Sequence, residues 1–256
     1  MEEVNKAKAI INSCDKIVDE SLEGLVLMRP DLVFAGPKKY RIISRAKVDP
    51  KKVALVCGGG AGHEPAHAGF VGDGLLTAAV TGGIFSSPNI KAITAAIMHA
   101  CPGEAGVLVI VKNSTGDRIS FAPAVEKARQ LGKRVEIIHV SDDIAVEGGR
   151  CIGKRGLAGA VLVYKCAGAL AEKGAPFDVV VHAARHVAEN VHTIGASLTV
   201  CEIPGRVPSD RELSFACLLT LFRLSPLFLR PLQVFPLFLA KCTPISHPLS
   251  SYFLRS

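Results

Sequence analysis

Gly58-Gly59-Gly60-Ala61-Gly62-His63-Glu64-Pro65-Ala66-His67-Ala68-Gly69 follows directly on the apolar run Val53-Ala54-Leu55-Val56-Cys57. A buried strand that empties into glycines brings bare backbone N–H groups close to a ligand, because no Cβ holds the ligand away. The loop then delivers an imidazole and a carboxylate at its far end. The functional reading is a small polar-substrate site on a strand end. The plain alternative is a glycine turn between strand and helix with an incidental histidine.

Three familiar motifs compete for this stretch. A Walker phosphate loop ends in Gly-Lys-Ser/Thr, whereas this one has Gly62-His63-Glu64. The dinucleotide fingerprint G-x-G-x-x-G fails as well: counted from Gly58 its last glycine falls on His63, and counted from Gly60 on Pro65. His63-Glu64-Pro65-Ala66-His67 matches H-E-x-x-H literally. That zinc motif needs both histidines on one face of an established helix, and here a glycine run precedes the first and Pro65 separates the two. No metal is expected.

Composition sets the frame for these readings. The chain has 256 residues, 49% of them hydrophobic, enough for one large or two small packed domains. Its first residues, Met1-Glu2-Glu3-Val4-Asn5-Lys6, lack the apolar core of a secretory signal. Eight cysteines are scattered without a C-x-x-C pair, several inside apolar runs, which reads as reduced, buried thiols and a cytoplasmic location. The net charge of +7 is partly local, and the basic stretches lack interleaved aromatics, so no nucleic-acid partner is expected.

Periodicity gives the order of elements. Val4, Ala7, Ile10, Ile11, Ile17, Val18, Leu22 and Leu25 fall near helical spacing, and Arg29-Pro30 ends the run. Lys52 to Cys57 reads as a strand and Leu75 to Thr81 as another. Ser87-Pro88 offers an N-cap for a helix over Ile90 to Ala100. Val107-Leu108-Val109-Ile110-Val111 has the wholly apolar character of a central parallel strand. Asn113 to Asp117 breaks it, and a helix over Phe121 to Leu131 and a strand over Arg134 to Val140 follow. Gly148 to Gly156 is a loop, Leu157 to Lys173 and Phe177 to Val191 are helices, and Ala196 to Ile203 is a further strand. Such alternation predicts an α/β fold, a mostly parallel sheet flanked by helices. Ligands of such sheets gather beyond the carboxyl ends of the strands. If the strands before His63 and Asp117 are neighbours, these two residues share one crevice. Taken alone, Asp117 also reads as the N-cap of the helix that follows it.

The chain changes character after Arg211. From Leu213 to Ser256 prolines at 226, 231, 236, 244 and 248 are too closely spaced for a helix, and Arg223 and Arg230 interrupt the apolar stretches before any reaches membrane-spanning length. Residues 212–256 are expected to be an unrelated, disordered or artefactual tail, and no membrane is expected as a partner.

The loop at Gly58–Gly69, extended by Phe70-Val71-Gly72-Asp73-Gly74-Leu75-Leu76, resembles the dihydroxyacetone (glycerone) kinase family, and more narrowly its substrate-binding K domain. Four later segments agree in order: Ile84-Phe85-Ser86-Ser87-Pro88, Val111 through Arg118, Gly153-Lys154-Arg155-Gly156-Leu157-Ala158-Gly159, and Ile194-Gly195-Ala196-Ser197-Leu198. The resemblance covers residues 1–211 and so implies an incomplete K domain followed by a tail outside the family.

The resemblance implies that a triose such as dihydroxyacetone is held by the glycine-loop backbone (Gly60, Ala61, Gly62) and by His63, helped by Lys112. It implies that Asp117 orients a substrate hydroxyl or accepts its proton, so that His63 and Asp117 form the catalytic pair. It also implies ATP and magnesium on a separate helical L domain or subunit, and none bound by this chain. A homodimer is a further expectation. Departures from the family pattern are Ala61 in place of a usual serine, Ser114 in place of a tyrosine, and Gly83 in place of an acidic residue. The family's covalent histidine lies in a Gly-Ile-His-Gly-Glu motif that is absent from these 256 residues. His192 and His247 stand in different surroundings and are given no such role. The alternative expectation is therefore a non-enzymatic K-domain fragment that binds small carbonyl compounds or dimerises.

Overall fold

The computed structural model describes residues 12–145, 153–195 and 203–204. Its centre is a six-stranded sheet made of β1 (Leu32–Phe34), β2 (Ile42–Arg45), β3 (Ala54–Ala61), β4 (Ala78–Ile84), β5 (Val107–Lys112) and β6 (Val135–Val140). The spatial order is β1-β2-β4-β3-β5-β6. The four strands β4, β3, β5 and β6 run parallel, and β2 is antiparallel to both β1 and β4. The expected mostly parallel sheet is present, with an antiparallel hairpin at one edge that the sequence pattern did not disclose.

Alternation along the strands divides the core into two layers. Leu55, Cys57, Leu108, Ile110, Ile138 and Val140 point to one face, where α1 (Ile17–Met28), α4 (Ala160–Glu172) and α5 (Phe177–Asn190) cover them. Ala54, Val56, Val107, Val109 and Val111 point to the other, beneath α2 (Ile90–Ala100) and α3 (Thr115–Gln130). Each helix buries a stripe at helical spacing, as in Phe121, Ala124, Val125 and Ala128 of α3 or Phe177, Val180, Val181, Ala184 and Val187 of α5. Burial on both faces is what makes the parallel strands read as unbroken apolar runs.

Helix boundaries differ from the sequence reading for identifiable reasons. Helix α2 is capped by Asn89, whose side chain accepts from Ala92 N–H at 2.9 Å, and not by Ser87. Helix α3 starts at Thr115, six residues before the expected Phe121, because Ser114 caps it and accepts from Asp117 N–H at 3.3 Å. Helix α4 starts at Ala160 instead of Leu157, since the N–H groups of Leu157 and Gly159 donate to the buried carboxylate of Asp142 at 2.6 and 2.7 Å. Residues 12–16 precede α1 as turns. The start of the predicted first helix, the centre of the 148–156 loop, nearly all of the predicted strand at 196–203 and the whole 212–256 tail lie outside the described residues.

The connection from β3 leads to β4 on one side, and that from β5 leads to β6 on the other. Because β3 and β5 are adjacent, with Cys57 in register with Ile110, their carboxyl ends flank a topological switch point. A ligand site in an open parallel sheet is expected there.

Candidate functional site

Strand β3 does not end at Cys57. It continues to Ala61, with Gly58 opposite Val80 and Gly59 opposite Thr81 of β4. The glycines are therefore part of the ladder, correcting the expectation that Gly58 opens a loop. Close approach explains the residue type: a Cβ at Gly60 would lie 2.6 Å from the backbone nitrogen of Ser86. The chain turns only at Gly62, whose φ of +101° is open to glycine and strained for other residues. Residues 63–67 then form turns followed by a short 3-10 segment at Ala68–Phe70, so the H-E-x-x-H spacing sits on no α-helix.

His63 is exposed at the carboxyl end of β3, and its ring is tilted against Phe85 with centroids 5.6 Å apart. Phe85 itself has φ of +49°, uncommon for a bulky residue, and forms an apolar wall over Gly62. Partial burial, and then the positive charge of Lys112, hold the His63 imidazole below its ordinary pKa. Lys112 is the last residue of β5. Gly62 N–H donates to both carboxylate oxygens of Glu64 at 3.1 Å, and Ala61 is buried with its carbonyl accepting from Phe85 N–H at 2.8 Å.

Asp117 is 4% exposed and lies in the first turn of α3. It is not the N-cap, a role Ser114 fills. Its carboxylate accepts from Ser87 Oγ at 2.5 Å and from Ser114 Oγ at 2.9 Å. A carboxylate has about four acceptor positions, so two hydroxyls leave room for a ligand hydroxyl. Lys112 ends β5 and Asp117 follows it in the first turn of α3, while His63 follows β3, the neighbouring strand. The strand adjacency on which a shared crevice for His63 and Asp117 depends is present. Nothing in the sequence pattern marks Ser87 as a partner of Asp117, whereas the capping spacing Ser114-x-x-Asp117 is a usable signal for Ser114.

Behind the site His67 is 4% exposed, with Nδ1 2.7 Å from Tyr164 Oη and 3.5 Å from Cys57 Sγ. Desolvation first, then Lys112 and His63, push its pKa down to about 3. Desolvation likewise pushes the Cys57 thiol up to about 12, so it is an inert, protonated group. Among the described residues no group of three or more His, Cys, Asp or Glu side chains is placed to hold a metal ion. No described helix is long and apolar enough to cross a membrane. His192 lies beyond α5 and lines a groove with His139 and Arg185.

A mostly parallel sheet covered by helices on both faces, with its switch point between β3 and β5, defines an open α/β domain. The model of the Dak1 domain matches residues 23–215, and the chain belongs to that family, the family of the dihydroxyacetone kinases. It is 47% identical over 211 residues to a putative 3,4-dihydroxy-2-butanone kinase of Solanum lycopersicum, covering 80% of this chain and 35% of that protein. It is 46% identical over 198 residues to the dihydroxyacetone-binding subunit DhaK of a PTS-dependent dihydroxyacetone kinase from Listeria innocua, covering 77% of this chain and 60% of that one. The dihydroxyacetone kinase of C. freundii, solved with AMP-PNP and Mg2+, superposes with a TM-score of 0.74 at 40% identity over 79% of this chain and 38% of its own. A dihydroxyacetone kinase operon co-activator, DhaQ, superposes with a TM-score of 0.71 at 35% identity, over 76% and 59% of the two chains. The chain thus spans about a third of the tomato protein's length.

Proposed function

We propose that this chain is the acceptor-substrate half of a dihydroxyacetone kinase. It binds a triose bearing a ketone and hydroxyls, and presents one hydroxyl to ATP held with magnesium on a separate L domain or subunit. The observation that supports this reading is the adjacency of β3 and β5 in a Dak1 domain, whose carboxyl ends are followed by His63 on one side and carry Lys112 and then Asp117 on the other. Asp117 accepts a hydrogen bond from the reacting hydroxyl and orients its oxygen. His63, neutral near pH 7, hydrogen-bonds the substrate, while Lys112 offers positive charge to a substrate oxygen. Gly60 allows the ligand close to the strand backbone, and Phe85 shields it from water. Phosphoryl transfer depends mainly on positioning and charge stabilisation, which is the contribution such an acceptor site makes. No step is assigned to magnesium on this chain. A cytoplasmic location and a homodimer belong to the same proposal.

Calorimetric titration with dihydroxyacetone tests the binding reading. Saturable binding is expected for the full chain, with no comparable heat from glycerol, which lacks the ketone. A folded chain that gives no heat with dihydroxyacetone would remove the proposal.

The similarity to the operon co-activator favours a second reading, in which the domain binds a small carbonyl compound without turning it over. Phosphorylation of dihydroxyacetone on adding a DhaL-type ATP-binding partner would decide for the kinase; binding without turnover would decide for the second.

A further inference from the structure

His67 Nε2 is fully buried and has no hydrogen-bond partner among the described residues. A buried polar atom left in this condition is uncommon and calls for a reason. Its surroundings supply one. A Cβ at Gly59 would lie 3.3 Å from His67 Nε2 and 3.6 Å from Asp117 Oδ2, so the imidazole and the carboxylate converge over the same glycine. Any side chain at Gly59 would fill that gap.

The other edge of the ring is committed. Tyr164 Oη lies 2.7 Å from Nδ1 and 2.9 Å from Cys57 Sγ, and Tyr164 and Cys57 are both fully buried. A phenol has a single proton, so the chain of contacts has two directions. In one, the thiol donates to the phenol oxygen and the phenol to Nδ1, which leaves the ring proton on Nε2. In the other, Nδ1–H donates to the phenol and the phenol to sulfur, which leaves a lone pair on Nε2. Only the first direction turns a positive N–H edge, and not a lone pair, toward the Asp117 side. The proton on one ring nitrogen is set by the bond the other makes.

We propose that His67 is a positioning residue for Asp117: of the two directions open to the Cys57–Tyr164–His67 chain, the nearby carboxylate selects the one that leaves the proton on Nε2, and that N–H faces Asp117 across Gly59 without a direct hydrogen bond. The carboxylate then has hydrogen bonds from Ser87 and Ser114 and a positive N–H edge of His67 facing it on the Gly59 side, and is held as a hydroxyl acceptor. The inference deepens the reading of Asp117 as the group that receives the substrate hydroxyl, and its first test does not depend on that reading.

The test is nitrogen-15 NMR of the histidine rings in the labelled full chain, with the His67 signals assigned through His67→Gln. The expected spectrum has His67 Nε2 in the protonated, pyrrole-type range and Nδ1 in the unprotonated, pyridine-type range. Asp117→Asn, with an unchanged amide spectrum elsewhere, is expected to move the Nε2 signal. Tyr164→Phe is expected to release the ring to a mixture of tautomers. A pyridine-type Nε2, or an Nε2 indifferent to Asp117→Asn, would overturn the proposal. The second arm is affinity for dihydroxyacetone. His67→Asn, whose amide serves Tyr164 but leaves the Nε2 position empty, is expected to weaken binding about tenfold, the size of one buried hydrogen bond. His67→Gln, whose amide nitrogen reaches the Nε2 position, is expected to stay within about threefold of wild type, a small fraction of one such bond. Equal losses in the two variants would reduce His67 to a packing role and overturn the inference. Absence of dihydroxyacetone binding in the wild-type chain would instead overturn the triose reading, with the ring spectra still deciding the role of His67.

Discussion

Lowering the pH from 7 to 5 is predicted to destabilise this domain through His67. In the unfolded chain the imidazole titrates at its ordinary pKa of 6.5, whereas burial holds it near 3 in the folded protein. The folded pKa is the lower of the two, so between these values the unfolded chain binds the extra proton. His67 therefore favours the folded state fully only above about 6.5, and stability falls as acid is added. Integrating proton uptake for this one group from pH 7 to pH 5 gives a loss of about 2 kcal/mol. The result is insensitive to the folded value, because the ring stays neutral at pH 5 for any pKa well below that. The assay is urea unfolding followed by far-ultraviolet circular dichroism, at both pH values, for wild type and His67→Gln. His67→Gln lowers stability at pH 7 by breaking the contact to Tyr164, so the quantity read is the pH dependence and not the absolute value. It is expected to be shallower than in wild type by about 2 kcal/mol, with His63 and His139 contributing equally to both proteins. An identical pH dependence in the two proteins would refute the claim that His67 is neutral and buried.

Three further outcomes follow from the site and the core. Asp117→Asn keeps the Ser114 cap of α3 but removes the charge that accepts a hydroxyl, so dihydroxyacetone affinity measured by calorimetry is expected to fall by about 2 kcal/mol, the worth of a hydrogen bond to a charged group. Gly60→Ala places a methyl group 2.6 Å from Ser86 N, an atom of the backbone, and is expected to cost about 1–3 kcal/mol by urea unfolding and to weaken ligand binding as well. Phe121→Ala empties a fully buried position between α3 and the sheet; a loss of about 3–5 kcal/mol is expected, read as a lower midpoint in thermal melting.

Much of the fold is legible in the chain itself. The runs at Val53–Cys57 and Val107–Val111 are buried on both faces, so their apolar character marks central parallel strands without ambiguity. Helix α5 shows its buried stripe directly. The hairpin β1–β2 is different, because its strands have three and four residues and are specified by pairing, β1 with β2 and β2 with β4, as in Ile42 opposite Val80. Such short segments have little local signal, and tertiary pairing decides them. The extension of β3 through Gly58 and Gly59 was hidden for the converse reason: local propensity favours a loop, and the ladder with β4 overrides it. In the site, His63 and Asp117 could be found from strand ends followed by polar groups. The burial of His67 could not. Its partners Cys57 and Tyr164 are 10 and 97 residues away from it in the chain, and the one local pattern containing His67 pointed to zinc.

The central claim is that a hydroxyketone sits at the carboxyl ends of β3 and β5. The most direct measurement is a titration of the labelled full chain with dihydroxyacetone, followed residue by residue in its amide spectrum. Saturable shifts concentrated at Gly60–His63, Lys112 and Ser114–Asp117 are expected. Saturation with shifts concentrated instead along the groove at His139, Arg185 and His192, or a folded chain whose spectrum does not respond, would contradict it.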